Sequence, residues 1–191
     1  MVRGKPREEA ILAAAMAVLA DVGYRALTMD AVAARAHASK TTIYRRWRSK
    51  AALVKAALDT YDSNFNDSVP DTGSLRGDLF AVMEMLRRKA EVFPLAMVHG
   101  LITAMRDDEE LAAALQAHLD DDELSPFAEP LHRAAARGDV LADVDTELVH
   151  DIAEAMILRQ LHVNAPFDDT FIARVVDDVL LALLTRGESQ S

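Results

Sequence analysis

Residues 28–55 read TMDAVAARAHASKTTIYRRWRSKAALVK, and this stretch decides the fold. Thr28 is a good helix N-cap, because its hydroxyl can accept an orphan amide hydrogen, and Asp30 complements the positive helix end. Val32, Ala33 and Ala36 then make one small apolar face. Ala36, His37, Ala38 and Ser39 form a corner, and Ser39 caps a second helix running to Trp47. Ile43 and Trp47, four apart, point the same way. Ser49 opens a third helix that extends to about Phe65. Two short helices meeting at a tight corner are a helix-turn-helix.

No acidic residue occurs between Ala31 and Lys55, whereas seven cations do: Arg35, Lys40, Arg45, Arg46, Arg48, Lys50 and Lys55. They surround short hydroxyl side chains near a helix N-terminus. That is the chemistry of phosphate clamping around a base-reading element. Ser39, Lys40, Thr41, Thr42 and Arg45 are the expected base contacts, and Tyr44, Arg46 and Lys50 the expected phosphate contacts, with Thr28 at the first helix start. Lys50 lies in the first turn of its helix, where a cation opposes the macrodipole, which predicts a partner outside that helix.

Working outward, residues 1–55 hold eleven Lys or Arg against four acids, a charge of +7, and the remainder carries −17. The whole-chain charge of −10 therefore hides a basic head on an acidic body, as expected of a protein that touches DNA with one end. With 191 residues, 51% of them hydrophobic, the chain can bury a sizeable core. It has no cysteine, which excludes disulfides, thiolate metal sites and a cysteine nucleophile. MVRGKPREEAIL lacks a signal-like apolar run and no stretch has transmembrane length, so a cytoplasmic chain with no membrane partner is expected.

Upstream of the opening stretch, a helix is predicted from Pro6, with Ile11, Ala15, Val18 and Val22 on its apolar face and Gly23 at its end. Downstream, Asn66 to Ser74 is the clearest linker. Helices are then predicted near Ser74–Phe93, Pro94–Arg106, Asp108–Leu119, Pro126–Arg137, Thr146–Asn164 and Asp169–Arg186, with no strand pattern. The fold class is all-α: a three-helix DNA-binding domain over residues 1–55, then a domain of about six helices over residues 56–191.

The pattern of helix-capping Thr28, the Tyr44 and Trp47 pair, then Ser49 and Lys50 opening the next helix, resembles the tetracycline-repressor-like (TetR/AcrR) family of bacterial regulators. Trp47 stands where that family more often has Phe. The resemblance implies a repressor that binds a roughly palindromic DNA operator as a homodimer and is released by a small-molecule effector. It implies an effector pocket in the acidic domain, for which Met83, Leu86, Phe93, Met97, His99, Leu101, Met105, Leu115, Phe127 and Met156 are candidates. Met suits an adaptable apolar pocket. It also implies pairing through the last two helices, which are too apolar for one narrow stripe. Ile152, Met156, Leu161, Ile172, Val175, Val176, Val179 and Leu183 are the candidate dimer residues.

Two alternatives come from other classes. An all-helical Mg²⁺-dependent enzyme could use the acidic clusters Asp107 to Glu110 and Asp120 to Glu123, and an architectural protein could bind DNA without an effector. Acids at helix starts stabilise the macrodipole without any ligand, and the body offers few cations to meet a diphosphate. The six histidines show no i, i+4 pair, so no zinc helix motif appears. No catalytic residue, metal or cofactor is expected.

Overall fold

The computed structural model describes residues 5–66, 69–92, 95–121, 124–141 and 143–185. Among them every regular element is helical and no strand occurs. None of these helices is long and apolar enough to cross a membrane. The chain forms two compact units, Met1–Asn64 with Ala96–Asp120, and Phe65–Leu95 with Asp121–Ser191. By packing, Ala96–Asp120 joins the N-terminal helices.

The first unit contains α1 (Lys5–Ala26), α2 (Met29–Arg35), α3 (Lys40–Tyr44) and α4 (Lys50–Asn66), followed after the second unit's first helix by α6 (Leu95–Met105) and α7 (Glu109–Leu119). Helical spacing puts Ile11, Ala15, Val18 and Leu19 inside, each at most 6% exposed. Val22, expected on that face, is 52% exposed. The cause is Gly23, whose φ of 74° and ψ of 170° break the helix there. A last turn then closes with Leu27 N–H on the Gly23 carbonyl at 3.1 Å.

Between α2 and α3 the chain turns in a Schellman motif: Ala38 N–H bonds the Ala33 carbonyl at 2.9 Å and His37 N–H the Ala34 carbonyl at 3.3 Å. His37 takes the left-handed conformation, φ 48°, where a side chain costs about 1 kcal/mol that glycine would avoid. The second helix of the motif is shorter than expected. Regular helix ends at Tyr44, and a final turn brings Trp47 N–H to the Ile43 carbonyl at 2.9 Å. That turn still buries both Ile43 and Trp47, at 0% and 7% exposed.

The second unit contains α5 (Leu75–Val92), α8 (Ala128–Arg137), α9 (Thr146–His162) and a terminal helix. That last helix is α10 (Asp169–Arg174), a π-helical stretch (Val175–Leu180) and α11 (Leu181–Thr185) in continuous sequence. One face of each helix meets the same core, which includes Leu79, Val82, Met83, Phe127, Leu131, Val149, Ala153, Ile172, Val175 and Val176. Arg76 on α5 grips Asp177 of the π stretch with two bonds of 2.7 and 2.8 Å.

Asp78 is completely buried and organises the approach to α5. Its Oδ1 accepts from Thr72 N–H and Thr72 Oγ1, both at 2.7 Å, and its Oδ2 accepts from Arg137 Nη2 at 3.3 Å. Burial alone would raise its pKa, but the Thr72 bonds and the Arg137 and Arg133 charges outweigh it and hold the carboxyl below the usual carboxylate range. The stabilisation this gives is present above the unfolded-state value near pH 4 and is lost as pH falls through the lower folded value. Asp78→Ala leaves buried donors unpaired, so a cost of about 3 kcal/mol and a flatter acid limb are expected. Thermal melts of both proteins from neutral to acid pH measure this.

Candidate nucleic-acid interface

The helix-turn-helix corner is built by its caps. Thr28 Oγ1 accepts from Ala31 N–H at 3.1 Å to start α2, and Ser39 Oγ accepts from Thr42 N–H at 3.2 Å to start α3. The Ser39 hydroxyl also meets Thr42 Oγ1 at 2.8 Å, orienting that side chain. Buried Ile43 and Trp47 fix the inner side of the turn, which leaves Thr41, Tyr44 and Arg45 outside, Tyr44 at 49% exposed. A rigid inner side and a polar, cationic outer side are what base reading requires.

Four of the seven cations are held by acids of the same unit: Lys55 by Asp59 of its own helix at 2.7 Å, and three nearer the corner. Lys40 pairs with Asp30 at 2.6 Å, Arg46 with Glu8 and Arg35 with Asp21. The bond to Asp30 raises the Lys40 pKa further, so it stays fully charged at neutral pH. These are exposed pairs, weak in water and readily exchanged for phosphate partners. Arg45 and Arg48 are exposed, and among the described residues neither has an ion-pair partner.

Lys50, the third expected phosphate contact, has a partner within the protein. Its Nζ donates to the Tyr24 carbonyl at 3.0 Å and lies 4.1 Å from the centroid of the Tyr24 ring. The partner outside its own helix, which the macrodipole argument demanded, is therefore the end of α1. Tyr24 in turn donates to Asp108 Oδ2 at 2.8 Å, and Asp108 Oδ1 caps α7 by accepting from Leu111 N–H at 2.9 Å. Burial and then Asp108 push the Tyr24 phenol upward, while the Leu111 amide, Tyr24 and Lys50 hold Asp108 low. Tyr24 was not singled out as functional in the sequence, and Asp108 was considered there only as a helix start and as part of a possible Mg²⁺ cluster.

Of the two acidic clusters considered for Mg²⁺, the first is engaged in this way: Asp107 pairs with Arg25, and Asp108 with Tyr24 and the α7 cap; in the second Asp120 accepts from Gln116, and Asp122 and Glu123 lie outside the described residues. Among the described residues no group of three or more His, Asp or Glu is arranged to hold a metal.

A second link ties α7 to α4. His118 places Nδ1 2.7 Å from Asp59 Oδ1 and Nε2 3.4 Å from Asp62 Oδ2, with only 11% of its side chain exposed. Burial alone would lower its pKa, but the two carboxylates outweigh that and raise it. For a raised histidine the stabilisation is complete below the unfolded value of about 6.5 and disappears as pH rises through the folded one. The melting temperature of the wild-type protein should therefore fall relative to His118→Gln as pH is raised through the alkaline side of neutrality. Parallel melts across that range measure the difference.

The candidate effector residues do not gather in one unit. Met97, Leu101 and Leu115 are buried and Met105 half-buried in the first, where His99 is exposed. Met83 and Phe127 are fully buried in the core of the second, and Leu86 and Met156 pack against it. Phe93 lies outside the described residues. Of the candidate dimer residues, Ile172, Val175 and Val176 are 0% exposed within the single chain and belong to its own core. Ile152, Met156, Leu161, Val179 and Leu183 are half-buried.

Comparison with known proteins bears on both units. The family profile described as bacterial regulatory proteins, tetR family, matches residues 11–57. A second, described as tetracyclin repressor-like, C-terminal domain, matches residues 69–179. The chain is 56% identical over 185 residues to the DNA-binding transcriptional repressor TetR of Mycobacteroides abscessus, with 97% of each chain covered. It is 28% identical to the HTH-type transcriptional repressor KstR of Mycobacterium tuberculosis, over 97% of this chain and 74% of that one. Among solved structures, the TetR family transcription regulator SCO0332 superposes with a TM-score of 0.71 at 29% identity, covering 91% of this chain and 96% of the other.

Proposed function

The chain belongs to the tetracycline-repressor family of bacterial transcription regulators, and from that premise we propose that it is a cytoplasmic repressor that binds a roughly palindromic operator as a homodimer. The observation that carries the proposal is the cationic outer side of α3, held by buried Ile43 and Trp47 and capped by Ser39. Arg45 and Thr41 read base edges, with Thr42 oriented beside Ser39, and Tyr44, Arg46 and Thr28 meet phosphates. Family membership, together with repressor relatives aligned along nearly the whole chain, supports repression over catalysis. An apolar small molecule releases the operator by favouring a spacing of the two heads that does not fit it. Of the residues named for that effector, Met97, Met105 and Leu115 in the first unit and Leu86 and Met156 in the second are the ones to vary first.

Fluorescence anisotropy tests this with a duplex from upstream of the protein's own coding sequence and a scrambled duplex, each across a salt series. Wild-type protein is expected to prefer the upstream duplex, with affinity falling steeply with salt. Thr42→Ala is expected to lose the preference, and Lys50→Ala to weaken both duplexes alike and flatten the salt slope by about one unit. Equal binding of the two duplexes would instead support an architectural DNA binder.

A further inference from the structure

Resting on the reading of residues 28–50 as the DNA-contacting face, we infer that Asp108 is a positioning residue for DNA binding, which holds Lys50 on Tyr24 and away from phosphate. Lys50 carries one charge and has two competing partners. In the structure its ammonium is on the Tyr24 carbonyl and ring face, at 3.0 and 4.1 Å. On DNA the same ammonium would meet the backbone near the start of α4, as a cation flanking α3 should.

The inner position is secured from the α6–α7 corner. Tyr24 and Arg25 at the end of α1 meet Asp108 and Asp107 respectively, so two successive residues of the head are tied to two successive residues of the corner. Tyr24 is only 4% exposed, and its hydroxyl has a charged acceptor at 2.8 Å, a bond stronger than one between neutral groups. The Asp108 charge favours the ammonium where it stands.

Engaging Lys50 with DNA therefore requires it to leave a site that Asp108 stabilises. Loosening the corner then has opposite effects on two observables. It weakens the fold, because the end of α1 loses part of its anchor. It strengthens DNA binding, because Lys50 is released. A residue that only supported the fold would move both in the same direction.

The experiment compares Asp108→Asn, Tyr24→Phe and Glu109→Gln with the wild type, on the same upstream and scrambled duplexes and by thermal melting. Asp108→Asn removes the charge but keeps an oxygen for the α7 cap. Tyr24→Phe removes only the hydroxyl and leaves the ring and carbonyl. Glu109→Gln makes the same charge change on the same corner at an exposed side chain. Asp108→Asn and Tyr24→Phe are expected to bind both duplexes about threefold more tightly, the scale of one partly screened charge, with lowered melting temperatures, and Glu109→Gln to change little.

A readout without DNA accompanies these: acylation of Lys50 by an amine reagent, followed by peptide mass spectrometry. It should be faster in the first two variants and unchanged in the third. Unchanged or weakened DNA binding in Asp108→Asn and Tyr24→Phe, while the wild type binds, would overturn the role of Asp108 and leave the repressor proposal standing. An equal gain in Glu109→Gln would overturn it too, since bulk charge would then suffice. Failure of the wild type to bind either duplex would remove the repressor proposal and this role together.

Discussion

Phe127→Ala is expected to lower stability by about 3–5 kcal/mol, enough to unfold the second unit at moderate temperature. Phe127 is 0% exposed and sits in the core shared by α5, α8, α9 and the terminal helix. Its ring centroid lies 5.9 Å from that of His150. Removing the ring forfeits its transfer free energy and leaves a cavity that packed helices close only in part. The result also separates two roles. A pocket-lining ring that faces an effector tolerates truncation and changes ligand affinity, whereas a core ring changes the melting temperature and the denaturant midpoint. A near-neutral Phe127→Ala would return the residue to the list of pocket candidates.

Phe127 shows why the body was harder to read than the head. In the head, chemistry and spacing were specific together: a cap at Thr28, a cap at Ser39, a buried pair at Ile43 and Trp47, and cations with no acids between them. Each of those caps is present as a hydrogen bond, and the two apolar residues are buried. In the body, apolar residues at helical spacing were visible, but spacing alone does not say whether a given face meets the chain's own core, a ligand or a second copy. Met83, Ile172, Val175 and Val176 meet the core, although the sequence offered them for the other two roles.

Lys50 shows a related limit. Its conflict with the helix macrodipole correctly announced an outside partner, but identifying it needed the long-range approach of the α1 end. Asp108 was legible as a helix start and not as a partner of Tyr24, because 84 residues separate them. His118 likewise gave no local signal, since its partners Asp59 and Asp62 lie on a helix far earlier in the chain. Short-range chemistry is written in spacing; pairings across helices become visible only when the fold brings them together.

Val179→Asp is the substitution with the largest effect expected on DNA binding. Val179 is half-buried on the π-helical stretch and stands outside the second unit's core cluster. Its replacement therefore spares that core, which Leu183→Asp would not, because Leu183 packs against it. In the proposed two-fold dimer each new carboxylate adds to the existing Asp177 and Asp178 and must be desolvated at the interface. Sedimentation at micromolar concentration is expected to show monomers in place of dimers, with little change in helix content. Loss of the second head removes the effective concentration that makes a palindrome bind tightly, so affinity for the upstream duplex should fall about a hundredfold. The salt slope should fall with it, since one head contacts half as many phosphates. A Val179→Asp protein that still sediments as a dimer would move the interface to Ile152, Met156 and Leu161 on α9, where the same carboxylate scan can be repeated.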